Sequence, residues 1–313
     1  MKHIYSLDGV RGFAVLIVLL SHSQNLGFLG GEFFQQTGKI GVYIFFILSS
    51  YLIFSQFKFN SSFTLSYVVK FYVKRVIRIY PLLVVVLTGI YVMNIVYPVG
   101  DEYTLKWLYN NVFLIKMTGV FWSIKVEMVF YLLAPILNKL FRYKIILILF
   151  IIIAILGPVY VPMNNENFAK FSLFFAAGYI LANMNYKVSK KKMPIPYSMS
   201  FILYFVLFPF VIRMLTGHWK LMTTEVFFPL VVLVSFFVFL LMERFTFRSS
   251  IEKLLEWIGR NSYSIYLIHI PILVIMSHMP FVVRIAVLLV FSLILEIVGR
   301  RISRYVRASF TIE

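Results

Sequence analysis

The first apolar segment of the chain carries a histidine, His22, about three helical turns after the sequence DGVRG at residues 8–12. Residues 10–20 are almost wholly apolar, which is typical of a helix that crosses a lipid bilayer. An ionisable group at that depth is costly and usually faces a cavity, a partner or a substrate path. A neutral imidazole there can accept a proton, so we expect His22 to act as a general base. The alternative is a structural histidine that is bonded to a neighbouring helix.

A carboxylate, Glu127, also lies within an apolar segment. Counted at about 1.5 Å per residue from the predicted helix ends, His22 lies roughly 20 Å from the inner surface and Glu127 roughly 12 Å from the outer one. We therefore expect the two side chains to share a level, with Glu127 orienting the imidazole as a catalytic partner. Alternatively, Glu127 is bonded to a neighbouring helix or salt-bridged to Lys125, and Trp122 lies close to it in sequence.

Two arginines, Arg75 and Arg78, are three residues apart, on one face of a predicted helix that leads to Pro81. Because arginine binds phosphate through two parallel hydrogen bonds, the pair suits a phosphate-rich ligand. The alternative is ordinary positive charge beside anionic lipid headgroups.

Asp8 and Arg11 lie at the start of the first apolar helix. They form either a simple charge pair, in which Asp8 favours the helix dipole and Arg11 reaches the headgroups, or a polar mouth in which Arg11 faces a cavity. Gly9 and Gly12 would allow another backbone or a ligand to approach closely.

Other polar side chains of the apolar segments are expected to support or line this cavity. Gly38 and Gly41 favour close helix packing in the second segment, and Pro271 frees a backbone carbonyl in the ninth. The supporting residues are Asp8, Ser49, Trp122, Ser123, Tyr266 and His269. Cysteine is absent and the five histidines are spread over the chain, so thiolate catalysis is excluded and we expect no bound metal or cofactor.

The elements that must position these residues are apolar helices. Hydrophobic residues make up 61% of the chain and charged residues 13%, whereas soluble domains are roughly half apolar and a quarter charged. Stretches long enough to cross a hydrocarbon core of about 30 Å recur along the chain. The predicted fold is an all-α integral membrane bundle of about ten transmembrane helices, at 9–27, 39–57, 80–97, 119–137, 145–162, 169–184, 197–214, 223–242, 262–278 and 281–299.

The net charge of +18 predicts the orientation of this bundle. Lysine and arginine are concentrated in alternate connections, so the positive-inside rule places both termini in the cytoplasm and the protein in the cytoplasmic membrane. Residues 103–118 are apolar but interrupted by polar side chains, which favours an interfacial or re-entrant helix on the outer side. We expect residues 1–313 to form one integral-membrane domain with no appended soluble domain.

Five segments in register with the ten predicted spans resemble the integral-membrane acyltransferases of acyltransferase family 3. They are LDGVRGFAVLIVLLSH at 7–22, GKIGVYIFFILSSYLI at 38–53, RVIRIYPLL at 75–83, FWSIKVEMVFYLLAPIL at 121–137 and YSIYLIHIPIL at 263–273. The resemblance implies transfer of an acyl group, most often acetyl from acetyl-CoA, to a hydroxyl of a cell-surface glycan or lipid-linked sugar.

The resemblance also assigns roles to individual residues. His22 corresponds to the family's first-helix histidine, Arg11 to the arginine of its DGxRG motif, and Glu127 to the acidic residue of WSxxxE. Arg75 and Arg78 match an RxxR motif implicated in the use of acyl-CoA. The chain departs from the pattern at Ser50, where the family usually has glycine, and at Lys125, which places a charge beside Glu127.

Two alternatives remain open at this stage. Ten helices with buried ionisable groups also suit a transporter or flippase for a polysaccharide intermediate or acyl donor. A non-catalytic scaffold for glycan assembly is the third possibility. The sequence leaves several points open: the acceptor and the hydroxyl that is modified, the acyl chain, and the oligomeric state. It also leaves open whether the acyl group is transferred directly or through an acyl-enzyme.

Overall fold

The computed structural model describes residues 5–30, 34, 37–59, 63–98, 102–161, 163–184, 193–196, 245–247 and 249–309. Helices dominate these residues: α1 Tyr5–Asn25, α2 Gly38–Phe59, α3 Leu65–Val96, α4 Leu105–Val112, α5 Trp122–Leu140, α6 Lys144–Tyr160, α7 Phe168–Asn183, α8 Ser250–Arg260, α9 Ser262–Ile275 and α10 Phe281–Ser309. A short 3-10 helix, Gly119–Phe121, precedes α5, and two short parallel strands, β1 Met193–Pro196 and β2 Phe245–Phe247, pair with each other.

Eight of the ten predicted spans correspond to helices, which confirms the helical class for the described part of the chain. The predicted spans at 197–214 and 223–242 lie outside the described residues. By length and apolar composition, four helical stretches in the described ranges are able to cross a membrane: Gly38–Lys58, Leu65–Val96, Gly119–Leu140 and Phe281–Val306. Membrane insertion of the helices and the side on which the termini lie stay predictions.

The chain divides into two compact units, which we call unit 1 (Met1–Ser61 and Ile136–Ser262) and unit 2 (Ser62–Pro135 and Tyr263–Glu313). In unit 1, α2 packs between α1 and α7. The backbone of α1 at Ala14 lies directly against Gly41, as the spacing of the glycines predicts. On the other side of α2, the ring of Tyr43 stacks on Phe174 with centroids 4.5 Å apart. A glycine thus allows α2 to approach α1 closely, and aromatic rings contribute to its packing on α7.

Ser50, where the chain departs from the family pattern, lies in the contact between α2 and α7. Its hydroxyl donates a hydrogen bond of 2.5 Å to the carbonyl of Phe175 on α7. Gly178 lies directly against the Ser50 side chain. A glycine on the partner helix therefore makes room for the extra hydroxyl, and the buried polar group is satisfied.

Helix α8 is an element that the sequence reading assigned to a basic loop. It begins with a capping box, in which the Ser249 side chain accepts from the Glu252 backbone N–H and the Glu252 carboxylate accepts from the Ser249 N–H. The helix packs on α1, where Gly12 meets the carbonyl of Leu255 and Gly259 meets the carbonyl of Asp8. The close approach that Gly12 permits is therefore made by a second backbone, not by a ligand.

In unit 2, helix α3 runs for 32 residues from Leu65 to Val96 and has Pro81 inside it. Arg75 and Arg78 therefore lie on a helix that continues through Pro81, as predicted, and this helix begins well before the predicted span at 80–97. Thr64 caps its N-terminus by accepting from the backbone N–H of Tyr67. Further along, α10 packs on α3, and the Ser303 hydroxyl donates to the Ile77 carbonyl at 3.2 Å.

The interfacial helix predicted at 103–118 is, by contrast, shorter than expected. Helix α4 covers only Leu105–Val112, and the chain then turns back through Leu114, which has a φ of 56°. Asn111 holds this turn, because its side-chain amide donates to the Trp107 carbonyl at 2.9 Å and its oxygen accepts from the Thr118 N–H at 3.1 Å. Asn111, one of the polar residues that interrupt the apolar pattern here, thus fixes the turn that follows the helix.

Candidate active site

The predicted residues of unit 1 lie on two neighbouring helices. At the start of α1, the Arg11 guanidinium pairs with the Asp8 carboxylate at 3.0 Å, and Asp8 is buried. His22 is half-buried in the last turn of the same helix, and Ser49 is half-buried on α2. Of the two readings of Asp8 and Arg11, the structure confirms the charge pair; whether Arg11 also faces a substrate stays a prediction.

In unit 2, one face of α5 carries a line of polar side chains. Ser123, Glu127 and Tyr131 are four residues apart, so they lie one above another on the helix surface. The Tyr131 hydroxyl donates a hydrogen bond to the Glu127 carboxylate. Tyr131 escaped the sequence analysis, although the four-residue spacing from Glu127 is the signal that would have found it.

Arg75 of α3 meets this face between two aromatic rings. Its guanidinium carbon lies 5.3 Å from the centroid of the Phe71 ring and 5.4 Å from that of Tyr131. Glu127 and Tyr131 are both close enough to interact electrostatically with Arg75, whereas Arg78 repels it from one turn away. A cation–π contact contributes about 0.5–2 kcal/mol, depending on its exposure to water. Arg75 is therefore held in place by α3 and α5, while Arg78 is exposed.

A second group of hydrogen bonds joins α5 to α9. The Tyr266 hydroxyl donates to the Val120 carbonyl at 2.5 Å and lies 2.8 Å from the Ser123 hydroxyl. Because Tyr266 has one proton and donates it to Val120, Ser123 is the donor of the bond between the two hydroxyls. His269 is 1% exposed, and its Nδ1 lies 2.7 Å from the Tyr266 carbonyl. Its proton is therefore on Nδ1 when the ring is neutral.

We call these two groups together the polar stripe of unit 2: Arg75, Ser123, Glu127, Tyr131, Tyr266 and His269. It brings five of the predicted site residues into one unit and adds Tyr131. Tyr263, one turn before Tyr266, extends the stripe with a bond of 2.9 Å from its hydroxyl to the Ile79 carbonyl of α3. Side chains of three helices thus satisfy one another's polar groups in an otherwise apolar unit.

Comparison with known proteins connects this geometry to a family. The family model for the acyltransferase domain of acyltransferase family 3 matches residues 4–299, nearly the whole chain. The chain belongs to acyltransferase family 3. It is therefore an acyltransferase of the multi-pass membrane type, as the resemblance of the five segments predicted.

Two relatives illustrate the range of acyltransferase family 3. A protein of Acidianus two-tailed virus, provisionally named acetyltransferase ORF330, is 28% identical over 279 residues, which are 83% of this chain and 81% of that protein. Peptidoglycan O-acetyltransferase OatA of Listeria monocytogenes is 29% identical over 158 residues, which are 43% of this chain and only 24% of that longer protein. No solved structure matches the chain.

Glu127, from the WSxxxE motif of the family, has an observed partner of its own. It accepts from Tyr131, while the Lys125 ammonium donates to the Ile115 carbonyl at 2.7 Å. Trp122 is half-buried at the start of the same helix. His22 belongs to unit 1 and Glu127 to unit 2, so a shared depth of the two residues stays a prediction. The roles that the family resemblance gives to His22, Arg11, Arg75, Arg78 and Glu127 likewise stay predictions.

Proposed function

We propose that this acyltransferase transfers an acyl group from cytoplasmic acyl-CoA to a hydroxyl of a cell-surface polysaccharide or lipid-linked sugar. The acyl group that we propose is acetyl. The observation that carries the proposal is the arginine pair of α3. One guanidinium, Arg75, is fixed between aromatic rings, and Arg78 is exposed one turn away. A fixed and an exposed guanidinium on one helix face are suited to the phosphates of a coenzyme.

The names of the relatives favour the same choice of substrates. One is named an acetyltransferase and the other a peptidoglycan O-acetyltransferase, which supports acetyl among acyl groups and a glycan hydroxyl among acceptors. The positive-inside rule supports a cytoplasmic membrane location with both termini inside, so the acyl donor reaches the protein from the cytoplasm.

In the proposed reaction His22 is the general base. Its neutral imidazole accepts the proton of the acceptor hydroxyl as the oxygen attacks the thioester carbonyl, and a C–O bond forms. The C–S bond then breaks, and the departing CoA sulfur takes the proton back from the imidazolium. Protons and charges balance, so acyl-CoA and the acceptor are the only substrates and neither a metal nor a bound cofactor is required.

The other predicted residues hold groups in place. Glu127 accepts from Tyr131, whose ring lies over Arg75, so Glu127 acts on the donor site as a positioning residue. Asp8 holds Arg11 at the start of the helix that carries His22. Ser49 lies on α2, the neighbour of that helix.

The test is release of free thiol from acetyl-CoA by the purified full chain in detergent, with acetyl-CoA binding measured in the same samples. Turnover that is lost in His22→Ala and weakened in the double variant Arg75→Ala/Arg78→Ala is expected. His278→Ala is the matched control, because His278 is an exposed histidine in the turn after α9. A protein that binds no acetyl-CoA would contradict the donor assignment and favour the transporter. A folded, fully active His22→Ala variant would exclude His22 as the base.

A further inference from the structure

Helix α10 packs on α3 through a hydrogen bond that a proline makes available. Pro81 has no backbone N–H, so the Ile77 carbonyl loses its usual donor within α3. The Ser303 hydroxyl of α10 supplies a donor at 3.2 Å. One turn earlier on α10, a methyl group on Gly299 would lie 3.8 Å from the Leu82 side chain. Rising numbers on α10 thus meet falling numbers on α3, so the two helices are antiparallel here.

This register turns two arginines toward the same flank of the helix pair. Arg78 follows Ile77 by one residue, and Arg304 follows Ser303 by one residue. Each step along a helix turns the side chain by about 100° in a right-handed sense. Because the two helices run in opposite directions, equal steps from their contact lead to the same flank. Arg78 and Arg304 are both exposed there.

The facing surfaces of α3 and α10 are both cationic. Residues 300–307 contain four arginines and no acidic residue, and residues 65–80 contain two lysines, two arginines and no acidic residue. The last acidic residue of α10, Glu296, pairs with Arg300 at 3.0 Å. Like charges on two packed helices repel each other, whereas an anion held between them attracts both. The packing of α10 on α3 therefore favours a bound anion on the flank of Arg78 and Arg304.

The residue types indicate which anion fits. A guanidinium binds phosphate through paired hydrogen bonds. Two guanidiniums together suit a phosphate monoester, which carries a charge of about −1.5 to −2 at pH 7. Acyl-CoA has such a group, the 3′-phosphate of its nucleotide, at the end opposite the thioester. Because Arg78 and Arg304 are exposed, they suit the end of the donor that stays at the protein surface.

We propose that Arg304 of α10 and Arg78 of α3 form a binding site for a phosphate monoester, and that its occupant is the 3′-phosphate of the acyl donor. The inference rests on the proposed function for the identity of the donor. A phospholipid with a monoester headgroup offers the same chemistry, so the test has to separate the two sources.

The test is isothermal titration calorimetry on the full chain in non-ionic detergent, with CoA and 3′-dephospho-CoA as probes. Wild type is expected to bind CoA about tenfold or more tightly than 3′-dephospho-CoA. Arg304→Gln should weaken the binding of CoA about tenfold, because it removes hydrogen bonds to a charged group. It should leave the binding of 3′-dephospho-CoA unchanged.

Arg301→Gln is the matched control. Arg301 is also an exposed arginine of α10, but it precedes Ser303 by two residues and is turned about 160° from it, away from α3. Arg301→Gln removes the same charge, so general attraction of anions to this end of α10 would be lost equally in both variants. A specific site predicts that Arg301→Gln binds both nucleotides as wild type does. Equal melting temperatures would show that both variants are folded.

A second titration, with short-chain phosphatidic acid, distinguishes the lipid from the coenzyme. If binding of phosphatidic acid depends on Arg304 and binding of CoA does not, the occupant is a lipid headgroup and the coenzyme assignment is overturned.

Two further results would overturn the inference and leave the proposed donor in place. One is equal binding of CoA and 3′-dephospho-CoA by wild type, and the other is an equal loss in Arg304→Gln and Arg301→Gln. Binding of neither nucleotide by the folded wild-type protein would instead contradict the proposed function, and with it the coenzyme as the source of the phosphate.

Discussion

At the scale of single residues, Arg75 shows how a cation is kept inside an apolar helix. Its charge faces the rings of Phe71 and Tyr131, and the Glu127 carboxylate is held by the hydroxyl of the second ring. The two rings contact the guanidinium, and the Tyr131 hydroxyl holds the carboxylate of opposite charge, Glu127. These contacts stabilise the charge of Arg75 and also orient its side chain. This fixed orientation is what distinguishes Arg75 from Arg78.

Arg75→Lys tests whether the guanidinium shape matters. Lysine keeps the positive charge but loses the planar group that stacks on the rings and forms paired bonds with phosphate. We expect the KM for acetyl-CoA to rise about tenfold, which corresponds to about 1.4 kcal/mol, with a smaller change in kcat. Steady-state kinetics would measure both constants. An unchanged KM would contradict the donor role.

The hydrogen bonds of Tyr266 give a second prediction at this scale. Tyr266→Phe removes a hydroxyl that donates to the Val120 carbonyl and accepts from Ser123, so two buried groups lose their partner. Tyr263→Phe removes one bond, to Ile79. A buried polar group without its partner costs about 1–3 kcal/mol. Thermal unfolding in detergent should show a larger loss for Tyr266→Phe than for Tyr263→Phe, and the reverse order would contradict the assigned network.

At the scale of elements, the contact of α1 with α8 depends on two glycines. A methyl group on Gly12 would overlap the backbone of Leu255, and one on Gly259 would overlap that of Asp8. The backbones cannot separate without moving the helix that carries His22. The second glycine of the family motif, Gly12, is thus a packing requirement of the fold.

Gly12→Ala and Gly259→Ala should each destabilise the protein by about 1–3 kcal/mol, the range typical of overpacked sites. Gly89→Ala is the matched control, because an added methyl group on this glycine of α3 meets no atom within 4 Å. The melting temperature in detergent is the measurement. Equal melting temperatures for Gly12→Ala and Gly89→Ala would show that α1 and α8 do not pack in this way.

Local patterns in the sequence were sufficient for most of these elements, but not for all. Long apolar runs identify α2 and α10, because a helix that crosses a membrane needs about 20 predominantly apolar residues. Helix α3 is longer than its apolar run, since a proline in a lipid-facing helix does not have to end it. Helix α8 was missed because its polar face resembles a basic loop. The four-residue spacing of Tyr131 from Glu127 is a local signal, but the contact of Tyr131 with Arg75 depends on the packing of α3 against α5, which no local pattern shows.

At the scale of the whole molecule, the charge distribution predicts the side of the membrane on which each connection lies. The connection around Tyr143, between α5 and α6, is rich in basic residues, and the one around Asn165, between α6 and α7, is not. The positive-inside rule therefore places the first in the cytoplasm and the second outside. The donor would then enter on one side and the acceptor on the other.

The chain contains no cysteine, so single cysteines can be introduced without a background. Tyr143→Cys and Asn165→Cys both replace exposed residues in connections between helices. In intact cells a membrane-impermeant maleimide should label Asn165→Cys only, and permeabilised cells should show both labelled. The opposite pattern would reverse the topology and with it the side from which acyl-CoA binds.

The central claim is that this membrane acyltransferase transfers an acetyl group from acetyl-CoA to a sugar hydroxyl, with His22 as the general base. The most direct measurement is transfer of isotopically labelled acetyl from acetyl-CoA to glycans in inverted membrane vesicles, with wild type, His22→Gln and His278→Gln compared at equal amounts of folded protein. The account predicts ester-linked label with wild type and His278→Gln, and a loss of at least about a hundredfold with His22→Gln, the usual contribution of a general base. Full transfer by His22→Gln would contradict it.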